Sequence, residues 1–260
     1  DKGYKYVSVS WPGMIGVVSG MNEKGITVTI NAAKSDIPMV AKTPISFVSK
    51  EIVQYASNIE EAIEIAKKRE VFVSESILVG SGFDNKAVVI ELSPENFGVF
   101  DVENSTEIIC ANHFQSDVYL DDQNNLKAIS ESHSQYRFDK MEELLSESEK
   151  ITPEKAVSIL RNKKGLDNIE LGYGNEKALN QLLAHHGVIF QPLKKLVWVS
   201  SNPYVLGDFV AFQLDSVFKN SKNKTSSLSV TSLLIKKDDF STSKDFKNYE
   251  AYRVEKEKVQ

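Results

Sequence analysis

The hydrophobic pattern of the chain is clearest at residues 26–32, where the run ITVTINA alternates apolar and polar side chains. Such alternation of β-branched residues is typical of a strand with one buried face. The preceding NEKG predicts a hairpin turn in which Gly25 adopts a positive φ. Similar runs predict further strands at 3–10, 15–21, 71–80, 86–93, 97–102, 106–111, 187–190, 195–200, 208–214 and 226–235.

Four stretches have helical periodicity instead. The spacing predicts helices over 44–56 and over 130–147, and the stretch TPEKAVSILRNKKG combines a threonine cap, a first-turn proline and a terminal glycine. Another helix follows Asn58, a good N-cap residue, with acidic side chains in its first turn and basic ones in its last.

The order of these elements indicates an α+β layered protein rather than an alternating βαβ fold. Alternation within several strands predicts mainly antiparallel sheets that each bury one face. We expect one domain over 1–235, a linker-like segment at 221–227 and a polar C-terminal tail over 236–260. We find no internal repeat.

Composition and charge narrow the class of function. The 260 residues carry a formal net charge of −5, and 41% of them are hydrophobic, as in an ordinary globular protein. Charges of both signs are interspersed, so nothing indicates a nucleic-acid partner. No apolar run has the length of a membrane span. We therefore expect a soluble protein, and its compartment is not determined.

The sequence gives little evidence for a metal site or for a redox-active cysteine. His185 and His186 are adjacent, so on a strand they face opposite sides and chelate one ion poorly. The single cysteine, Cys110, excludes an intrachain disulfide framework, and its apolar neighbours predict a buried, unreactive thiol. No cofactor and no metal are predicted.

Three stretches occur in an order that points to one family. The first is WPGMIGVVSGMNEKGITVTINA, which runs through Asn31; the second is CANHF, which contains Asn112; the third is SHSQYRFDKMEELL, with Ser134, Arg137 and Phe138. Together they resemble the acyl-CoA:6-aminopenicillanic acid acyltransferase family, related to penicillin V acylases and bile salt hydrolases. The second motif departs from the family pattern T-N-H, because Ala111 stands in the threonine position.

This resemblance implies an N-terminal-nucleophile (Ntn) hydrolase with a four-layer αββα sandwich. In that superfamily the nucleophile is an N-terminal cysteine whose own α-amine is the general base. By the same resemblance, Asn31 and Asn112 would donate hydrogen bonds to the oxyanion, and Arg137 would supply a fixed positive charge. The substrate would be a small acylated amide or a thioester, and Trp11, Met14 and Phe114 are the expected walls of its pocket.

The cysteine that the family uses is absent from this sequence, which starts with Asp1. We therefore expect the nucleophile strand to be missing from this chain and to be carried by an N-terminal segment or chain of the same precursor. Without it, the chain alone is expected to be inactive. A truncated form of an enzyme and a non-catalytic relative that serves as a binding or scaffold protein are the alternatives.

Local explanations also exist for the three candidate catalytic residues. Asn31 could simply end its strand, Asn112 could begin a turn, and Arg137 could pair with an acidic neighbour on its helix. An unrelated α+β binding domain with accidental motif matches is a third hypothesis. The hypotheses differ in one geometric respect, because oxyanion donors must meet at one point in space.

Overall fold

The computed structural model describes residues 3–34, 41–102, 105–147, 149–220 and 227–258. The strands are β1 (Tyr6–Val9), β2 (Ser19–Asn22), β3 (Ile26–Ala32), β4 (Glu75–Ser81), β5 (Lys86–Leu92), β6 (Phe97–Phe100), β7 (Val188–Gln191), β8 (Leu196–Ser200) and β9 (Phe209–Gln213). The helices are α1 (Ile45–Tyr55), α2 (Ile59–Lys67), α3 (Gln123–Glu131), α4 (Ser134–Ser146), α5 (Pro153–Leu160), α6 (Leu214–Asn220) and α7 (Lys244–Glu257).

Strands β1 to β6 form an antiparallel sheet in which each strand pairs with its neighbours in sequence. Because side chains alternate across a strand, the two faces of this sheet differ in character. One face carries the apolar residues that pack against α1 and α2, including Val28, Ile77 and Ile90. The opposite face carries a polar row, since Asn31 pairs with Ser76 and Ser76 pairs with Glu91.

A second antiparallel sheet, β7–β8–β9, covers part of that opposite face. Met21 of β2 packs against Val197 of β8, so the two sheets meet face to face. The outer face of the second sheet packs on α5 through Trp198 and Val157. Helices, sheet, sheet and helix therefore form four layers, and the predicted α+β architecture with two antiparallel sheets is confirmed.

Several predicted elements have different bounds in the structure, and two of these differences have a clear local cause. Strand β2 begins at Ser19 rather than at residue 15, because Gly16 has a φ of 114° and lies against Ser46 at the start of α1. The helix predicted over 130–147 is the second of two helices, since the chain becomes extended at Ser132 between α3 and α4.

The strands predicted over 106–111 and 226–235 are wrong. Residues 105–111 form no strand; this segment instead crosses the polar face of the sheet, where the Cys110 carbonyl accepts a hydrogen bond from Asn31. Residues 227–235 follow the edge of β9 with isolated bridges at Ser229 and Ile235, and a 3-10 turn between them interrupts the ladder. Residues 221–226 of the predicted linker lie outside the described residues.

The C-terminal residues form helix α7, which docks on the rest of the described chain. Phe246 of this helix is buried in a cluster with Leu182 and Leu206. In the part of the chain that the structure describes, no helix has the length and apolar character needed to cross a lipid bilayer.

Asn58 caps α2 as predicted, and its Oδ1 accepts a hydrogen bond from the Glu61 N–H at 2.9 Å. Replacing Asn58 with alanine leaves this N–H without its acceptor and should lower the free energy of unfolding by about 1 kcal/mol. Urea denaturation of the two proteins measures the difference. Asn58→Ser is the matched control, because serine caps nearly as well; an equal loss in both variants would contradict a capping role.

Candidate active site

Asn31 lies near the end of β3, and its side chain extends from the polar face of the six-stranded sheet. Its Nδ2 donates a hydrogen bond to the Cys110 carbonyl at 3.1 Å. An amide NH₂ has two protons, so one remains for another acceptor on that side. The asparagine is therefore a donor that holds the crossing segment in place.

Asn112 reaches back to the same strand end from the crossing segment. Its Nδ2 donates to the Ala32 carbonyl at 3.0 Å, and its backbone N–H donates to Ser134 Oγ at 2.8 Å. Because Asn31 and Ala32 are consecutive and Cys110 and Asn112 are two residues apart, these contacts bring the two asparagines to one place. The Asn112 side chain is exposed there, as an oxyanion donor must be before substrate binds.

Arg137 of α4 fixes the orientation of the Asn112 amide. Its Nη2 donates to Asn112 Oδ1 at 2.7 Å, and its Nη1 donates to the Glu176 carbonyl at 2.8 Å. A guanidinium has no acceptor, so the oxygen of the amide must face it and the NH₂ must face Ala32. Arg137 is thus hydrogen-bonded to Asn112, and both lie close to Asn31 through the contacts of the crossing segment with the end of β3.

Ser134 and His113 form a second set of hydrogen bonds next to Asn112. Ser134 is fully buried at the start of α4, and its Oγ lies 2.8 Å from His113 Nδ1 as well as accepting from Asn112. Burial lowers the pKa of His113, and a neutral imidazole can accept the serine hydroxyl proton. His113 is therefore a structural hydrogen-bonding residue, and Ser134 positions the Asn112 backbone.

Glu91 is a residue of this region that sequence reasoning missed. It is fully buried on the polar face, and its carboxylate accepts hydrogen bonds from the Gln115 N–H at 2.6 Å, the Ser116 N–H at 2.9 Å and Ser116 Oγ at 2.6 Å. Burial nevertheless raises the pKa of this carboxyl group above its ordinary value. The available signal was an acidic residue inside the apolar run KAVVIEL, which demands buried partners.

Cys110 lies over the same polar row and is not poised for nucleophilic attack. Burial raises the pKa of its thiol to about 12, and the nearby Glu91 carboxylate acts in the same direction. A thiol with so high a pKa carries almost no thiolate at neutral pH, and the thiolate is the reactive form. Its backbone carbonyl, by contrast, holds Asn31.

Two of the three predicted pocket residues line one cavity. Trp11 and Met14 border a cavity of about 300 Å³ at the end of β3, which Ala32 and Glu75 also line. Phe114 lies elsewhere: its ring is buried and stacks on Tyr119 with ring centroids 4.0 Å apart. That prediction placed Phe114 in a pocket wall, whereas its buried ring packs on Tyr119.

The adjacent histidines separate as expected for neighbours on an extended chain. His186 Nε2 lies 3.3 Å from the buried Ser19 Oγ on β2, and burial lowers its pKa. The exposed His185 ring lies 6.0 Å from the Trp11 ring. In the described residues, no group of three or more histidine, cysteine or acidic side chains is arranged to hold a metal ion.

Comparison with known families identifies the source of these motifs. Residues 2–201 match the family described as acyl-coenzyme A:6-aminopenicillanic acid acyl-transferase. The chain belongs to this family. The family assignment drawn from the three motifs is therefore confirmed, and the match extends past the region in which those motifs lie.

Individual relatives of this acyltransferase-family chain are distant. A protein of Archaeoglobus fulgidus without a described activity is 30% identical over 103 residues, which are 38% of this chain and 17% of that protein. The chain therefore matches about a sixth of the length of this relative.

Solved structures with a similar arrangement are also distant in sequence. They include a conjugated bile acid hydrolase from Clostridium perfringens (14% identity, TM-score 0.47, 82% of this chain and 77% of that one). They also include a Caenorhabditis elegans N-acylethanolamine-hydrolyzing acid amidase ortholog (15% identity, TM-score 0.42, 76% and 80%). A penicillin V acylase from Agrobacterium tumefaciens has 12% identity and a TM-score of 0.37, with coverage of 76% and 63%.

Proposed function

We propose that this chain is the large part of an Ntn amidohydrolase or acyltransferase that acts through a cysteine-bound acyl intermediate. The observation that carries the proposal is the convergence of Asn31, Asn112 and Arg137 at the end of β3. Two neutral amide donors and one fixed cation suit an oxyanion that appears only during acyl transfer.

The reaction would start when the α-amine of an N-terminal cysteine takes the proton of its thiol. The sulfur then attacks the carbonyl carbon of an amide or thioester, and the carbonyl electrons move to the oxygen. The free protons of the Asn31 and Asn112 amides stabilise this oxyanion. As it collapses, the leaving amine or thiol takes the proton back, and a thioester-linked acyl group remains for water or an acceptor amine.

The nucleophile has to come from outside the 260 residues, because Cys110 is their single cysteine and its thiol pKa is raised. Two features of the structure could accommodate an N-terminal segment or chain of the same precursor. Strand β1 has no partner on its outer edge among the described residues. Next to it, a cavity of about 290 Å³ between the sheets is lined by apolar residues such as Val7, Val199 and Phe212.

An added strand would pair with the β1 edge and fill the apolar cavity with its side chains. Such a strand would begin with its cysteine near the polar face that carries Asn31. In this proposal the chain by itself is inactive, and activity depends on the associated segment. Both hydrolysis and transfer follow from the same acyl intermediate.

Expression of the full-length gene, followed by intact-mass and N-terminal analysis, tests the proposal. We expect a species that begins with cysteine and co-purifies with this chain, and we expect an acylating thioester to add one acyl mass to it. If no such species exists, or if the added mass appears on no cysteine, the protein is a non-catalytic binding relative of the family.

A further inference from the structure

The cavity beside the candidate active site has one ionisable residue among its described lining. The remaining walls are largely apolar or aromatic, and the residues used below are Trp11, Met14, Ile30, Ala32, Phe72 and Glu75. Its volume of about 300 Å³ suits a small arm of a ligand rather than a whole cofactor.

Glu75 occupies the first position of β4 and is half-buried there. In the part of the chain that the structure describes, its carboxyl group has no hydrogen bond and no ion pair. Its neighbours in register are Ala32 and Leu92, neither of which has a side chain that can donate. Burial alone raises the pKa of Glu75 to about 7.

Glu91 provides the contrast within the same sheet. Its carboxylate accepts three hydrogen bonds from the protein, so it has a structural task. Glu75 and Glu91 lie on opposite faces, because Glu75 pairs with Leu92 and Ser76 pairs with Glu91. A partly buried carboxyl group without a donor is costly to the fold, and such groups concentrate where a ligand supplies the missing partner.

We propose that this cavity binds the ammonium group of a substrate, with Glu75 as its counter-ion. Trp11 and Phe72 add aromatic rings, which attract organic cations, and Met14 and Ile30 contact the alkyl stem. An alkylammonium therefore fits the cavity better than a neutral or acidic group of the same size.

The position of the cavity suggests that its ligand is part of the substrate. This assignment rests on the proposed function. Ala32 lines the cavity, and its carbonyl accepts the hydrogen bond from Asn112 Nδ2. The Asn31 side chain projects from the opposite face of β3, so a cationic arm held by Glu75 would place the rest of the molecule at the end of this strand, next to Asn112. The substrate class is an amide or thioester whose acyl or amine part carries a basic amine.

Calorimetric or NMR titration of the protein with n-hexylammonium chloride tests the inference, with hexan-1-ol as the neutral probe of equal chain length. At pH 8 we expect hexylammonium to bind the unaltered protein about tenfold more tightly than Glu75→Gln, because a charge-assisted hydrogen bond is lost. Hexan-1-ol should bind both proteins equally. Glu70→Gln is the matched control, since Glu70 is exposed and pairs with Lys42.

The pH dependence adds a second criterion. An alkylammonium keeps its charge up to about pH 10, whereas Glu75 loses its charge below its pKa. Affinity for hexylammonium should therefore fall between pH 8 and pH 6 in the unaltered protein and stay constant in Glu75→Gln. His185, which lies near Trp11, is present in both proteins, so its contribution cancels in this comparison.

Equal binding of hexylammonium to the unaltered protein and to Glu75→Gln would overturn the inference, as would no binding at all. Trp11→Ala is a second variant, in which an exposed ring is removed and the carboxyl group of Glu75 stays in place. It should lower the affinity for hexylammonium several-fold. None of these measurements requires catalysis. Their failure leaves the proposed acyl transfer intact, and a missing acyl-cysteine leaves cation binding intact.

Discussion

Replacing Asn112 with alanine should reduce the kcat of the assembled enzyme by about a hundredfold to a thousandfold, the usual effect of removing one oxyanion donor. The variant loses the amide NH₂ but keeps the backbone N–H that bonds to Ser134. Substrate binding depends little on a donor that acts on the transition state, so KM should change much less than kcat.

Steady-state kinetics of the complex with its cysteine-bearing segment measures this effect. Asn96→Ala is the matched control, because Asn96 lies at an exposed turn between β5 and β6. A fall in thermal stability that parallels the fall in kcat would assign Asn112 a structural task alone. An unchanged kcat would exclude Asn112 from the oxyanion site.

Local sequence determines much of this fold, but a comparison of two predicted strands shows what local sequence does not determine. Strand β3 was predicted at 26–32 because its alternating pattern is a property of the strand itself. The segment 105–111 has a similar β-rich composition, yet it crosses the polar face of the sheet instead of pairing with an edge strand. Whether a partner edge is free depends on the whole topology, and no window of sequence carries that information.

For the candidate site, too, the sequence predicted which residues take part but not the contacts that bring them together. The motifs identified Asn31, Asn112 and Arg137, and their convergence in the structure supports the proposed role. Their convergence could not be predicted from the sequence, because it depends on side-chain hydrogen bonds to the backbone carbonyls of Cys110 and Ala32. Glu75 was missed since nothing in its neighbourhood marks a half-buried carboxyl group; its setting comes from residues distant in sequence.

Glu91→Ala should be the most destabilising single change in the region of the site, with a loss of about 3–5 kcal/mol in the free energy of unfolding. The carboxylate is the acceptor for two backbone N–H groups and one hydroxyl, at Gln115 and Ser116. Alanine leaves these donors buried without an acceptor and opens a cavity beneath Cys110. Each unsatisfied donor costs about 1–3 kcal/mol.

Urea denaturation of the purified chain measures the loss, and Glu95→Ala is its control, because Glu95 is an exposed acidic residue of the neighbouring turn. Glu91→Gln separates charge from hydrogen bonding. Its amide oxygen can still accept, but its NH₂ faces a donor, so its stability should lie between those of the unaltered protein and Glu91→Ala. If glutamine were as stable as glutamate, the negative charge would be dispensable and the shape of the side chain alone would hold the segment. A loss below about 1 kcal/mol in Glu91→Ala would mean that water replaces the carboxylate, and the crossing segment would then depend on Asn31 and Asn112 for its position.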